Sequence, residues 1–499
     1  MKRYHHRSVS ILLLAAMLAA LPAAASCGDT SDGQTTDTTA ASAGETTAAP
    51  TDEARIEPTL PDKKWDGYKF RVLTKGTDNV HWKSKEIVAE EENGDVINDA
   101  VYRRNLAVTE RFGVTFSEIV SPNGTWDLTT PLRTAVLAGA DDYDMVAGSL
   151  SDVVRKVSAE GMLVDLRTVP YIDLEKPWYD ANSVEQTQLC DRVFAVSSDM
   201  FVMDEDATIV TLFNKQIAGD YKLEDIYSLV RSGKWTIDKM TEMAAAVAKD
   251  LDSDGKMGYD DQFGLCSEPL NVYFSMVGCG VQAAKRTGDE VELDVKNEKF
   301  VDAFLKAVKL NKDYDYCLYA NNVTGVTDAY ADVIDPAFVE NRILFNYAGL
   351  VRVSHFRSME TDFGIVPVPK FDAAQKEYFT PISIGCGAFV MIPVTAPDLE
   401  RTGAIIEMLS AESHYGLREA YYENAIRSKG ARDEESKEML DIIFANRVYD
   451  LAHIHNWGGL IDAICALEID GNISSTIEAG YTAAETAMKK TIEDYRSLS

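Results

Sequence analysis

Read for its apolar and polar positions, the chain begins to look folded at "YKFRVLT" (68–74), where apolar and polar residues alternate as on a strand with one buried face. In "DVINDAVYRRNLAVTERFG" (95–113), Ile97, Val101, Val108 and Phe112 share one side of a helix, and Gly113 stands where helices commonly stop. "VTFSEIV" (114–120) returns to a period of two. Strand, helix and strand within about fifty residues make a βαβ unit, which implies a parallel sheet covered by helices. The alternation continues through a helical "TTPLRTAVLAGA", a strand "YDMVAGS" and a helix from "SDVVRKVSAEG". After the apolar strand in "DATIVTLFNKQ" (206–216) the pattern becomes mostly helical, and a second lobe is expected to begin there. "FVENRILFNYAGLVRV" supplies another buried strand, followed by "FGIVPVPKF" and "IGCGAFVMIPV"; the remaining third is mostly helical, with no repeat period.

The first 59 residues read differently. Lys2, Arg3 and Arg7 precede the apolar run "ILLLAAMLAALPAAA", the layout of a secretory signal over residues 1–26, and the run is short for a spanning helix. "AASC" at 24–27 resembles the lipobox of bacterial lipoproteins, which implies lipidation of Cys27; ordinary cleavage after "AAA" is the alternative. Residues 28–59 are rich in Thr, Ala, Ser, Asp and Gly and poor in large apolar side chains, so 27–59 is expected to be a flexible stalk between a lipid anchor and the body.

With 499 residues and 46% apolar composition the chain exceeds what one core usually serves. Its formal charge of -31 becomes -34 once the signal, with three basic residues and no acids, is removed. That balance argues against nucleic acid as a partner. Six cysteines follow Cys27, none in a CxxC pair, which disfavours a zinc knuckle or a thioredoxin-like site; no disulfide pairing follows from their spacing. His453 and His455, without a placed carboxylate or nearby thiol, make a poor zinc site.

One stretch carries metal chemistry. In "DLDSDGKMGYDD" (250–261), Asp250, Asp252 and Asp254 occupy positions 1, 3 and 5 of an EF-hand type loop, Gly255 position 6, Lys256 the carbonyl position and Asp261 position 12. Hard oxygens at this spacing can wrap Ca2+. The preceding "WTIDKMTEMAAAVAK" reads as a helix with Ile237, Met240, Ala244 and Val247 in register, but "QFGLCS" beyond it reads as strand. Only half an EF-hand is present, so the expectation is a structural calcium clip, with a metal-free turn and a regulatory site as the alternatives.

The stretches "GDVINDAVYRRNLAVTERFGV", "LVRSGKWTIDKMTEMAAAVAKDLDSDGKMGYDDQFGL", "FGIVPVPKFDAAQKEYFT" and "ARDEESKEMLDIIFANRVYDL" resemble the extracellular solute-binding proteins of bacterial ABC importers, and more narrowly their carbohydrate-type clostridial lipoproteins. The resemblance implies a two-lobed α/β fold of the type II periplasmic-binding-protein kind, like the maltose-binding protein, with hinge strands and a helical C-terminal region. It places 60–207 and 346–382 in lobe 1 and 215–340 with 384–499 in lobe 2. Chain crossings are then expected near 208–213, 342–345 and 384.

Ligands of open α/β sheets bind beyond the carboxyl ends of strands, and sugars need aromatic platforms beside paired hydrogen-bonding groups. Those rules select Asp78, Ser149, Ser198, Asp199 and Asp206 as polar candidates, each of which could equally be a turn or cap residue. Trp82, Tyr347 and Trp457 are the aromatic candidates, with ordinary packing as the alternative; Trp457, in "HIHNWGGL", also resembles the late aromatic that sugar binders bring to the cleft. Trp235, just before a plausible N-cap at Thr236, is assigned to packing. The expected function is capture of a solute, most plainly a mono- or oligosaccharide, and its delivery to an ABC permease by hinge closure, on a monomeric, membrane-anchored, non-enzymatic body outside the cell. The competing readings are an extracellular glycan-processing enzyme and a solute-sensing surface lipoprotein.

Overall fold

The strand Lys69–Thr74, the helix Val96–Phe112 and the strand Thr115–Val120 form the βαβ unit that the pattern predicts. Asp95 caps the helix by accepting from the Ile97 and Asn98 amides, and Gly113 ends it with φ of 73°. Ile97, Val101, Val108 and Phe112 are all buried. These elements belong to a computed structural model that describes residues 55–426 and 434–498. The expected signal segment, Cys27 and the stalk as far as residue 54 lie outside the described residues.

Two sheets organise the body, which forms one compact unit from Glu57 onward. In the first, Lys69–Thr74 lies parallel to Thr115–Val120 on one side and to Met145–Gly148 on the other, and Phe389–Met391 adds an antiparallel edge against Met145–Gly148. In the second, the order is Phe363–Val366, Ile209–Asn214, Ile343–Gly349, Phe263–Ser267 and Cys317–Tyr319. Ile209–Asn214 runs antiparallel to both its neighbours, while Phe263–Ser267 is parallel to both of its own. Every residue of Ile209–Asn214 and of Ile343–Gly349 is buried, as continuous apolar strands covered on both faces should be. This is the two-lobed α/β architecture of the type II periplasmic binding proteins.

The path between the sheets corrects part of the expected lobe assignment. The chain leaves the first sheet's neighbourhood at Thr208 and returns beside it, where Thr208 pairs with Ile382 and the Ser383 amide donates to the Ala207 carbonyl. Ile343–Gly349 and Phe363–Val366 both pair within the second sheet, so 346–366 sits there and not in lobe 1, and no crossing occurs at 342–345. Phe389–Met391 lies in the first sheet, so the segment after 384 does not pass wholly to lobe 2. The C-terminal helices divide accordingly: Leu399–Tyr415 and Leu417–Ile426 pack on Val96–Phe112, whereas Glu434–Ala445 packs on Phe363–Val366. No helix among the described residues is long and apolar enough to cross a membrane.

Candidate ligand cleft between the two sheets

A cavity of about 250 Å³ opens at the place where the chain passes from one sheet to the other. From the loops of the first sheet it takes Asn79, Trp82 and Trp126; from the crossing segments, Ile209, Ser383 and Cys386. The second sheet contributes Glu268, Phe274, Asp328, Tyr330, Gly349 and Arg352.

Local sequence builds each wall. Gly76 lies so close to Gly124 that a β-carbon on it would stand 2.4 Å from the Gly124 carbonyl carbon. Asp78 then accepts from both the Thr125 amide and its hydroxyl, each at 2.7 Å, which holds its carboxyl below the usual range. Together these fix the 121–126 loop and leave Trp126 49% exposed on the cleft rim. An aromatic ring that open, beside a polar cavity, has apolar surface still to be covered. Beneath it the fully buried Lys75 donates to the carbonyls of Gly385 at 3.1 Å and Cys386 at 2.5 Å, with its Nζ 5.3 Å from the Trp126 ring centre. Burial without a carboxylate partner lowers its pKa to about 8. Lys75 thus ties the returning segment to the first strand and supports the platform.

On the opposite wall Gly349 ends its strand with room for Trp82: a β-carbon there would meet the Asp206 carbonyl at 2.7 Å and the Trp82 ring at 3.5 Å. The Tyr330 hydroxyl donates to the Tyr347 carbonyl at 3.2 Å, fixing the ring at the cleft. Arg352 pairs with Asp335, lies 4.8 Å from the Tyr330 ring centre and meets His355 Nδ1 at 3.3 Å. Asp328 accepts from the Tyr330 and Ala331 amides at 2.9 and 3.0 Å. Glu268 precedes the helix Pro269–Gly278 without capping it, and burial pushes its carboxyl up to about 7.

Of the residues selected from sequence, Trp82 lines this cavity. Asp78 sits one residue from it and acts on the Trp126 loop. Asp206 lies behind it, ion-paired with Lys85 at 3.0 Å and accepting from Tyr421 at 3.0 Å. The other five lie away from this cavity. Ser149 accepts from the Asp152 amide at the start of a short helix. Ser198 donates to Ser410 inside the core. Asp199 pairs with His414 at 2.5 Å, on a separate pocket beside Arg418 and Arg447. Tyr347 is fully buried behind its sheet against Ser275 and Met240. Trp457 packs on His455 and donates to Thr491 at 3.0 Å. Trp126, Asn79, Glu268, Phe274, Asp328, Tyr330 and Arg352 were not singled out by sequence. Trp126 had a signal, since it follows the strand Thr115–Val120 just as Trp82 follows Lys69–Thr74; the second-sheet residues come from helices and loops whose direction no periodicity reveals.

No protein-family model and no curated protein sequence matches the chain. Solved structures do match in fold. The galacto-N-biose/lacto-N-biose I-binding protein of an ABC transporter from Bifidobacterium longum aligns over 85% of this chain and 97% of its own, at 11% identity and a TM-score of 0.56. The cyclic alpha-maltosyl-1,6-maltose binding protein of Arthrobacter globiformis aligns over 84% and 99%, at 14% identity and a TM-score of 0.55. An ABC substrate-binding protein of Listeria monocytogenes, solved with cycloalternan, aligns over 86% and 98%, at 12% identity and a TM-score of 0.50. At such identities the likeness is one of fold.

Proposed function

We propose that this protein captures a carbohydrate in the cleft between its sheets, closes over it by rotation about the crossing segments at Thr208 and Ile382–Ser383, and presents it unaltered to an ABC permease. The observation that carries this reading is the cavity itself. Aromatic rings and hydrogen-bonding groups reach it from both sheets, so a guest would touch both walls at once and favour the closed state by differential contact. The sugar-binding structures that share the fold support the same reading. The signal segment and Cys27 extend the proposal to a lipid-anchored protein on the outer face of the membrane.

Titration against mono- and oligosaccharides with small-angle scattering tests it: the expected result is saturable binding, a smaller radius of gyration and recovery of intact sugar. Cut sugar would instead favour the glycan-processing alternative, and unchanged scattering with every sugar would remove the capture reading altogether.

The aspartate loop is proposed as a structural calcium clip on the second lobe. Carboxylate oxygens of Asp250, Asp252 and Asp254 lie within 4.8 Å of one another, and Lys256 would add its carbonyl. Asp261 is engaged differently from an EF-hand acid: its two oxygens accept from the Leu251 and Gly258 amides, each at 2.7 Å. A melting temperature equal in calcium and in chelator would dispose of the clip.

A further inference from the structure

The charges around the cleft do not balance, and the imbalance bears on which saccharides it takes. Arg352 is the one basic side chain on the wall, and it is paired with Asp335. Lys75 stands behind Trp126 and is held by backbone carbonyls. Burial keeps both His81 and His355, tilted against each other with ring centres 4.1 Å apart, below their ordinary pKa, so they add no charge at neutral pH. Against these stand two carboxylates on the wall itself. Asp328 has one oxygen on backbone amides, and Glu268 has no ion pair among the described residues. A half-buried carboxyl left without a cation, facing a cavity with four aromatic rings, is costly to ionise in the empty protein, and a guest that brings positive charge relieves that cost.

We propose, on the basis of the capture reading above, that the cleft selects saccharides carrying a protonated amino group, with Glu268 meeting the ammonium and Trp82, Trp126 and Tyr330 supplying the rings around it. A neutral sugar can exchange hydrogen bonds with Glu268 but brings no counter-charge to its ionised form. An ammonium donates a charge-assisted hydrogen bond and is attracted to ring faces, whose quadrupole is negative at the centre. Burial leaves the Glu268 carboxyl only partly ionised near neutral pH, and an arriving cation would draw it to the ionised form.

The test is calorimetry of the full chain at neutral pH with glucosamine and its β-1,4-linked dimer, each against the neutral and the N-acetylated sugar of the same size, at low and high salt. The expected result is about ten- to hundredfold tighter binding of the free-amine sugars, the range that a hydrogen bond to a charged group supplies, with the preference shrinking as salt rises. Glu268→Gln is expected to bring the ratio of amine to neutral affinity close to one, and Glu268→Asp to restore part of it. Equal or weaker binding of the amino sugars, or a preference that survives Glu268→Gln, overturns the amine selectivity and leaves carbohydrate capture standing. Failure of every sugar, charged or neutral, to bind or to close the lobes overturns both.

Discussion

Trp126 and Trp457 both lie where regular elements give way to turns, and the fold treats them in opposite ways. Trp126 is 49% exposed at the rim of a cavity, with a buried lysine beneath its ring. Trp457 is 4% exposed, stacked at 9° on His455, with its indole N–H donating to Thr491 on the final long helix. The difference is one of completed contacts. Trp457 has its ring and its polar atom engaged inside the protein, and Trp126 leaves about half of its surface open at the cavity rim.

The comparison breaks most readily through stability. Trp457→Ala is expected to cost about 3–5 kcal/mol, the range for a buried aromatic truncation, and to lower the melting temperature by several degrees. A melting point unmoved by that change would place Trp457 outside the core. Trp126→Ala should behave in reverse. Its unfolding midpoint is expected to stay near wild type while sugar affinity falls by about 1–3 kcal/mol, roughly ten- to hundredfold. Equal affinity in titration would show that the exposed ring is not a platform.

A smaller effect is expected where the support of that ring is loosened. Asp78→Ala removes the two contacts to Thr125, leaves the cavity's own groups in place, and should weaken binding by roughly tenfold through the ordering the loop would then need on binding. Affinity as strong as wild type, measured in the same titration, would mean that Gly76 and Gly124 alone hold the loop.

The smallest effect sharpens the other side of the comparison. His453 packs with its ring centre 4.7 Å from that of Tyr273, and burial, with Arg155 adding to it, pulls its pKa down to about 3. The unfolded chain takes up a proton near pH 6.5, well before the folded one. Stability is therefore intact above pH 6.5 and lost as pH falls toward 3. Between pH 6.5 and 5.5 the loss from this group is about 1 kcal/mol, so His453→Phe should flatten denaturant midpoints over that interval. Parallel slopes for the two proteins would show that this imidazole titrates normally.

The helix at Val96–Phe112 was legible from the sequence because its apolar face and terminal glycine lie within one short stretch of chain; the Asp95 cap was added by the structure. Trp82's place on the cavity wall was legible for a related reason: it follows the first strand closely, and loops at strand ends point to one edge of a parallel sheet. The same rule misassigned Ser149 and Ser198, since a loop at the correct edge can still turn its side chains into a cap or the core. Tyr347 was misplaced because its strand joins the second sheet, and strand partnership is settled by pairings between residues more than a hundred positions apart.

What the sequence by itself determined was local: the βαβ opening, the helix ends, the spacing of the aspartate loop and the resemblance that implied a two-lobed binder. Those features depend on neighbours within one or two turns of chain, where propensity and periodicity act directly. The cavity was decided only by tertiary structure. Asn79, Trp126, Glu268, Asp328 and Arg352 come together because two sheets meet across Thr208 and Ile382, and a buried carboxyl without an ion pair, such as Glu268, is visible only once every neighbour around it has been placed.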